Sequence, residues 1–275
     1  MLQAGFVVAG LVAGFTAGLI GIGGGVLMVP FLYFFYESSR GTALGVIPAD
    51  LQATVAHATS LFVIVPTAII GAAAYARARV VVWRAALPIG LFSLVGGVLG
   101  ARVAPLLPGS VLKLAFGLFL LATAAQLAWG RRNDAGHALR LQPWITIPIG
   151  LFAGTFSAIM GVGGGLVAIP LLLHVVGVDI RRVAATSLAI VVLAASAGTL
   201  TYMMGGSGTD ALPASAIGYV HVAAGIPLMI GTVLTVRLGT RVNQRMDTRT
   251  LRRVFAVFLA ALGLRLLIQG AGALW

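Results

Sequence analysis

Eight long apolar runs organise this chain, at residues 4–36, 52–76, 85–105, 110–130, 143–176, 183–204, 215–238 and 250–270. About 20 mostly apolar residues suffice for a helix to cross bilayer hydrocarbon. There every backbone N–H and C=O must be bonded within the protein, which leaves helices and closed barrels as the only spanning structures. The period-2 alternation of an outer-membrane barrel strand is absent from these runs. Charged residues make up only 9% of the 275, against about 25% in a soluble domain. The sequence predicts an all-α polytopic integral membrane protein, multi-pass and bathed by lipid.

The net charge of +12 does not indicate nucleic acid. The basic residues lie in short loops between apolar runs, where they act as topology determinants. The six acids Glu37, Asp50, Asp134, Asp179, Asp210 and Asp247 also fall in or beside loops, so the spans contain no carboxylate proton relay. There is no cysteine, which excludes disulfides, thiol catalysis and thiolate metal sites. His174 and His221 have no recognisable ligand spacing, so no metal and no cofactor is expected. The first segment lacks a basic n-region and is too long for a signal peptide, so it is expected to be retained.

Two of the runs contain a composition that an apolar helix ordinarily avoids. "GLIGIGGGVLMVP" covers 18–30 and "AIMGVGGGLVAIP" covers 158–170; each packs four glycines into five residues, with a proline five residues later. The recurrence extends along the chain. Gly14, Gly21, Gly23, Gly24, Gly25, Pro30 and Leu32 match residues 140 positions later, and "ATSL" at 58–61 recurs at 185–188. Gly71 and Tyr75 match Gly198 and Tyr202, and Arg102, Val103, Leu112, Phe116, Phe119 and Leu120 match Arg241, Val242, Leu251, Phe255, Phe258 and Leu259. The chain therefore divides into a first membrane repeat (1–130), a polar linker (131–140) and a second membrane repeat (141–275). Such duplication is a common plan for transporters.

The repeats can be parallel or inverted. If 4–36 and 143–176 each cross fully, eight crossings place 11 of the 18 Lys+Arg on one side. If each turns back at its glycines as a re-entrant hairpin, six crossings remain and the repeats are inverted. Arg77, Arg79, Arg84, Arg131, Arg132, Arg140, Arg181, Arg182 and the six arginines of 237–253 then share one side, 14 against 4. The positive-inside rule favours the second arrangement. Equivalent loops agree, since 77–84 carries three arginines and 205–214 carries none.

Glycine weakens a helix by about 1 kcal/mol relative to alanine and admits φ > 0 and close backbone approach. Pro30 and Pro170 cannot donate to Val26 and Leu166. Two helix breaks are expected, with half-helices beginning after Gly25 and Gly165. The free N–H groups and positive dipole of a helix start make a ready anion site. Gly21, Gly23, Gly24, Gly25, Gly161, Gly163, Gly164 and Gly165 are therefore candidate substrate-binding residues. Tight helix packing competes as an explanation, since Gly14, Gly18 and Gly21, with Gly154, Ala158 and Gly161, make a small-xxx-small face. Thr59, Ser60, Thr186 and Ser187 supply hydroxyls that would complete a neutral donor cage, or bond their own backbone instead. His57 is the one candidate for proton coupling; the simpler expectation is an interfacial histidine at a helix end. Arg102 and Arg241 read as helix-end anchors.

The doubled segments "GFTAGLIGIGGGVLMVP" and "GTFSAIMGVGGGLVAIP", the two "ATSL" blocks and the late pair beginning "GARVAPLL" and "GTRVNQRM" resemble the TauE/SafE, or sulfite exporter, family of membrane permeases. The resemblance covers essentially the whole chain. It implies an inner-membrane transporter that exports sulfite or small organosulfonates, and it does not fix the substrate. With the glycine breaks, this points to a secondary transporter of small anions working by alternating access. A passive anion channel or a permease for small carboxylates would use the same parts. No nucleophile–base or metal constellation lies in the spans, so an enzyme is not expected; a homodimer is compatible with the reading.

Overall fold

The computed structural model describes residues 2–38, 44–129, 139–206, 212–245, 256–257, 260–261 and 263–268. The long apolar runs are helices: α1 (Leu2–Ile20), α2 (Gly25–Glu37), α3 (Gln52–Arg77), α4 (Trp83–Val103), α5 (Gly109–Trp129), α6 (Pro143–Met160), α7 (Gly165–Leu171), α8 (Ile180–Met204) and α9 (Val222–Asn243). α7 continues as one π-helical stretch, Leu172–Val176. Before α9 a short antiparallel hairpin pairs β1 (Ala216–Ile217) with β2 (Val220–His221), so the run expected at 215–238 starts its helix later and extends it to 243. Residues 131–138 of the linker and most of the run at 250–270 lie outside the described residues. Among the described residues, six helices are long and apolar enough to cross a membrane: Gln3–Ile20, Gln52–Arg77, Trp83–Leu106, Pro143–Met160, Arg181–Met204 and Val222–Asn243. The chain is a polytopic all-α membrane protein.

Small residues set the helix directions by letting backbones touch. A Cβ placed on Gly10, Gly14 or Gly18 of α1 would lie 2.1–2.3 Å from the Leu228, Thr232 or Val236 carbonyl oxygen of α9. The order of contacts rises along both helices, so α1 and α9 are parallel. α3 joins them in the same sense, with Thr67 donating to the Thr232 hydroxyl at 2.6 Å and Gly71 against Val236. α4, α6 and α8 make a second parallel trio: Gly96 and Gly100 press on the Leu151 and Thr155 carbonyls, and Gly97 on that of Ala194. The trios meet along α3 and α8. Gly71 faces Leu188 while Gly198 faces Leu61, a crossing of contacts that requires antiparallel helices. These two helices are also the most enclosed of the six.

The small-xxx-small explanation therefore holds for Gly14, Gly18 and Gly154, the last with its Cβ position 2.1 Å from the Ser93 oxygen. Without a hydrophobic force between helices in lipid, such close packing is what holds them together.

The glycines at 21–24 and 161–164 instead turn the chain back. Phe6 near the start of α1 stacks edge-on against Phe31 and Phe35 of α2, at 5.3 and 4.6 Å between centroids. In the second copy the Arg140 amide, just before α6, donates to the Val176 carbonyl at the far end of the returning segment (2.9 Å). The two glycine-broken runs, 4–36 and 143–176, are thus helical hairpins. Pro30 and Pro170 sit inside α2 and α7 rather than at the breaks.

The hairpins also sort the charges. At one end of the bundle Asn243 donates to the Leu19 carbonyl at 2.5 Å, and Arg182 to that of Val80 at 3.2 Å. That end receives Arg77, Arg79, Arg84, Arg140, Arg181, Arg182 and Arg245. The opposite end carries the Lys113–Glu37 ion pair at 2.5 Å and the packing of Gly45 on Pro213.

Candidate functional site

Where the two hairpins turn, their glycine segments pass one another at the centre of the bundle. Gly21, Gly23 and Gly24 have φ of 81°, 80° and 81°, and Gly161, Gly163 and Gly164 have 66°, 76° and 75°. Only glycine adopts that left-handed backbone without strain. Gly25 and Gly165 have ordinary dihedrals but no room: a Cβ there would lie 2.5 Å from the Gly161 oxygen and 2.6 Å from the Gly21 oxygen. Three glycines of each set shape the turn, and the fourth admits the other segment. Ile64 of α3 and Val191 of α8 pack against both Gly23 and Gly163. All of 21–26 and 161–168 is buried.

The hydroxyls of the two ATSL blocks complete the crossing. Ser60 donates to the Gly161 carbonyl at 2.8 Å, and Ser187 to those of Gly21 and Gly165, both at 3.1 Å. Thr59 accepts from the His221 amide at 2.9 Å, ahead of α9. Thr186 accepts from the Val82 amide at 3.1 Å, ahead of α4, and donates to Arg182 O at 2.8 Å. All four side chains are fully enclosed. In this conformation the hydroxyls bond backbone and pin the two breaks together.

The amides at the start of α2 are the unspent donors. Leu27 and Met28 already bond the Gly24 carbonyl, whereas Gly25 and Val26 precede the first intrahelical bond and have no helical acceptor. α7 starts the same way, with Ala168 bonding Gly164 O at 2.8 Å. Tyr75 and Tyr202 close the preceding helices, donating to the Gly18 and Ala158 carbonyls at 2.6 and 2.9 Å. The sequence signalled these tyrosines only by their equivalent positions.

His57 departs from the interfacial expectation. It is fully buried, and Gly161 packs on its Cα. Its Nε2 lies 2.5 Å from the Tyr33 hydroxyl. Tyr36, one turn further along α2, places its hydroxyl 3.2 Å from Nδ1 of His221, which is also fully buried. Sequence reasoning passed over Tyr33 and Tyr36, which have no polar counterpart in the other half, and set His221 aside for want of ligand spacing. Arg102 and Arg241 sit exposed at helix ends, as anchors do.

Membrane-length helices around paired, glycine-broken hairpins follow the plan common among membrane transport proteins. The family model described as "Sulfite exporter TauE/SafE" matches residues 6–266, so the chain belongs to the TauE/SafE family. A probable membrane transporter protein of Methanocaldococcus jannaschii is 29% identical over 265 residues, 95% of this chain and 94% of that one. One of Bacillus subtilis is 26% identical over 282 residues, covering 96% and 97%, and one of Haemophilus influenzae is 25% identical over 264, covering 94% and 96%. No solved structure matches.

Proposed function

We propose that this protein is a secondary transporter of small anions, exporting sulfite or small organosulfonates across the cell (inner) membrane by alternating access at the crossed glycine breaks. The observation that carries this reading is the crossing itself. Two breaks, in matching left-handed conformations, aim helix starts at one buried locus, and in transporters with broken helices such starts bind anionic groups. The binding segments are Gly21, Gly23, Gly24 and Gly25 and Gly161, Gly163, Gly164 and Gly165; the amides of Gly21 and Gly161 close the preceding helices on the Ala17 and Ser157 carbonyls, so the donors are the amides that follow them in each break. Thr59, Ser60, Thr186 and Ser187 would turn toward the anion as the two trios slide along α3 and α8.

The repeats, 1–130 and 141–275 about the linker 131–140, are inverted in this reading. Antiparallel contact between the equivalent helices α3 and α8 supports it, as does the gathering of arginines at one end, which makes that end cytoplasmic. Asn133→Cys, the sole thiol in such a variant, should react from the cytoplasm and not from outside intact cells.

The deciding experiment is flux in vesicles holding the purified chain. Sulfite or methanesulfonate should move, saturably, and accumulate against its gradient under an imposed proton or voltage gradient. Movement that never exceeds equilibrium would make the protein a passive anion channel. Movement of small carboxylates alone would transfer the reading to a carboxylate permease.

A further inference from the structure

The crossing is built twice, but the polar groups flanking it are not. Tyr33 and Tyr36 of α2 align with Leu173 and Val176, His57 with Ala184, and His221 with Val82. The last equivalence also holds in space, since His221 and Val82 both offer their amides to the matching threonines. The α7 side of the crossing therefore folds with four apolar residues where the α2 side buries two tyrosines and two histidines. Packing does not require them.

Their arrangement leaves binding capacity unspent. The Tyr33 hydroxyl holds Nε2 of His57, and the Tyr36 hydroxyl holds Nδ1 of His221. His57 Nδ1 and His221 Nε2 are both enclosed and have no hydrogen-bond partner among the described residues. The Ile159 and Leu44 backbones also offer hydrogen-bonding groups to the His57 and His221 rings, short of a formed bond to either free nitrogen, so a bound oxyanion would compete with them. A buried polar atom without a partner is costly, and each one in a folded protein calls for a reason. The two pairs lie together: Tyr33 and Tyr36 are one turn apart, and Thr59, two residues after His57, bonds the His221 amide and faces Tyr36.

We propose that His57 and His221, each oriented by a tyrosine of α2, form a second anion station at the Glu37–Lys113 end of the bundle, filled by a small oxyanion when the imidazoles are protonated. A protonated imidazole donates from both nitrogens, so with the tyrosine oxygen accepting from one nitrogen the other is a charged donor. The oxyanion neutralises the buried cation, which is otherwise expensive. Anion and proton thus enter together, and only on this side of the crossing. The other groups facing the cluster are compatible: Lys113 of α5 lies 5.6 Å from the Tyr33 ring and pairs with Glu37. Phe116 covers both Tyr33 and His57, and Tyr202 of α8 is a neighbouring titratable group. This inference rests on the transport reading for its class of ligand.

The test is thermal stabilisation of the purified full chain by sulfate and by methanesulfonate, with chloride as control, at about pH 5.5 and about pH 8, either side of ordinary imidazole titration. Both probes keep a fixed charge over this range, so any pH dependence belongs to the protein. The wild type should bind at least about tenfold more tightly at the lower pH, as expected for a site that exists only with charged imidazoles. His57→Ala and His221→Val, which copy the other half, should abolish the difference; His57→Gln and His221→Gln serve if those fold poorly. Equal binding at both pH values, no binding by the wild type at pH 5.5, or pH dependence that survives in the variants would each overturn the station. Vesicle flux separates the two readings: binding without flux refutes transport and supports the station, whereas flux without pH-linked binding does the reverse.

Discussion

The half of the bundle around α2 and the half around α7 share a backbone and differ in what surrounds it. Gly21, Gly23 and Gly24 repeat the left-handed conformations of Gly161, Gly163 and Gly164, and Ser60 and Ser187 donate to equivalent carbonyls across the centre. Yet α2 presents Tyr33 and Tyr36 to buried histidines, while α7 and its continuation are apolar at those positions. What is common to both halves is what the fold needs in order to cross itself. What occurs once is free to serve chemistry. The comparison thus sorts buried polar residues without reference to any relative.

The strongest way to break the equivalence is to fill the turns. A Cβ on Gly21 would lie 2.5 Å from the Ala184 oxygen, and one on Gly161 would lie 2.6 Å from His57 Cα. Both positions also need a left-handed backbone that a β-branched residue rarely adopts. Gly21→Val and Gly161→Val should each cost more than about 4 kcal/mol, seen as loss of monodisperse protein in detergent. If one variant behaves as wild type while the other is lost, the two turns are not equivalent and the shared-framework reading fails.

The serines should show a smaller and graded effect. Removing a donor from a buried carbonyl costs about 1–3 kcal/mol. Ser60 serves one carbonyl, and Ser187 serves two. Ser187→Ala should therefore lower the thermal midpoint more than Ser60→Ala. The reverse order, or no effect from either, would show that these hydroxyls do not hold the crossing.

Much of this framework was legible before any coordinates. Apolar runs gave the helices, and the doubled GxGGG gave the breaks, because bilayer hydrocarbon forbids unpaired backbone and leaves few ways to place four glycines. Loop charge favoured chains that turn back at the glycines, and Phe6 on Phe31 and Phe35 is how that turn looks in space. Two things could not be read. The hydroxyls of Ser60 and Ser187 find carbonyls 101 and 166 residues away, and no local pattern encodes partners at that separation. The histidine–tyrosine cluster was hidden for another reason. His57 is singled out by the sequence, but the cluster joins α2, α3 and β2, and a search for repeated residues gives Tyr33 and Tyr36 no weight.

The smallest expected effect bears most directly on function. Ser157 of α6 is buried beside the second turn, with its Cβ and Oγ 3.0 and 3.3 Å from where a Gly164 Cβ would be, and its hydroxyl has no hydrogen-bond partner among the described residues. The equivalent residue is Ala17, whose Cβ lies 3.2 Å from the matching position at Gly24. Ser157→Ala should thus be neutral or stabilising by up to about 1 kcal/mol, since it removes an unsatisfied hydroxyl and substitutes what the other half already uses. If the hydroxyl faces an anion held by the amides of Gly165 and Leu166, the same change should weaken anion binding severalfold while the thermal midpoint holds or rises. A gain in stability with unchanged affinity would make Ser157 a bystander. Stability rising as affinity falls would mark it as a donor the fold tolerates unbonded for the sake of its ligand, and would place the ligand on the α7 side of the crossing.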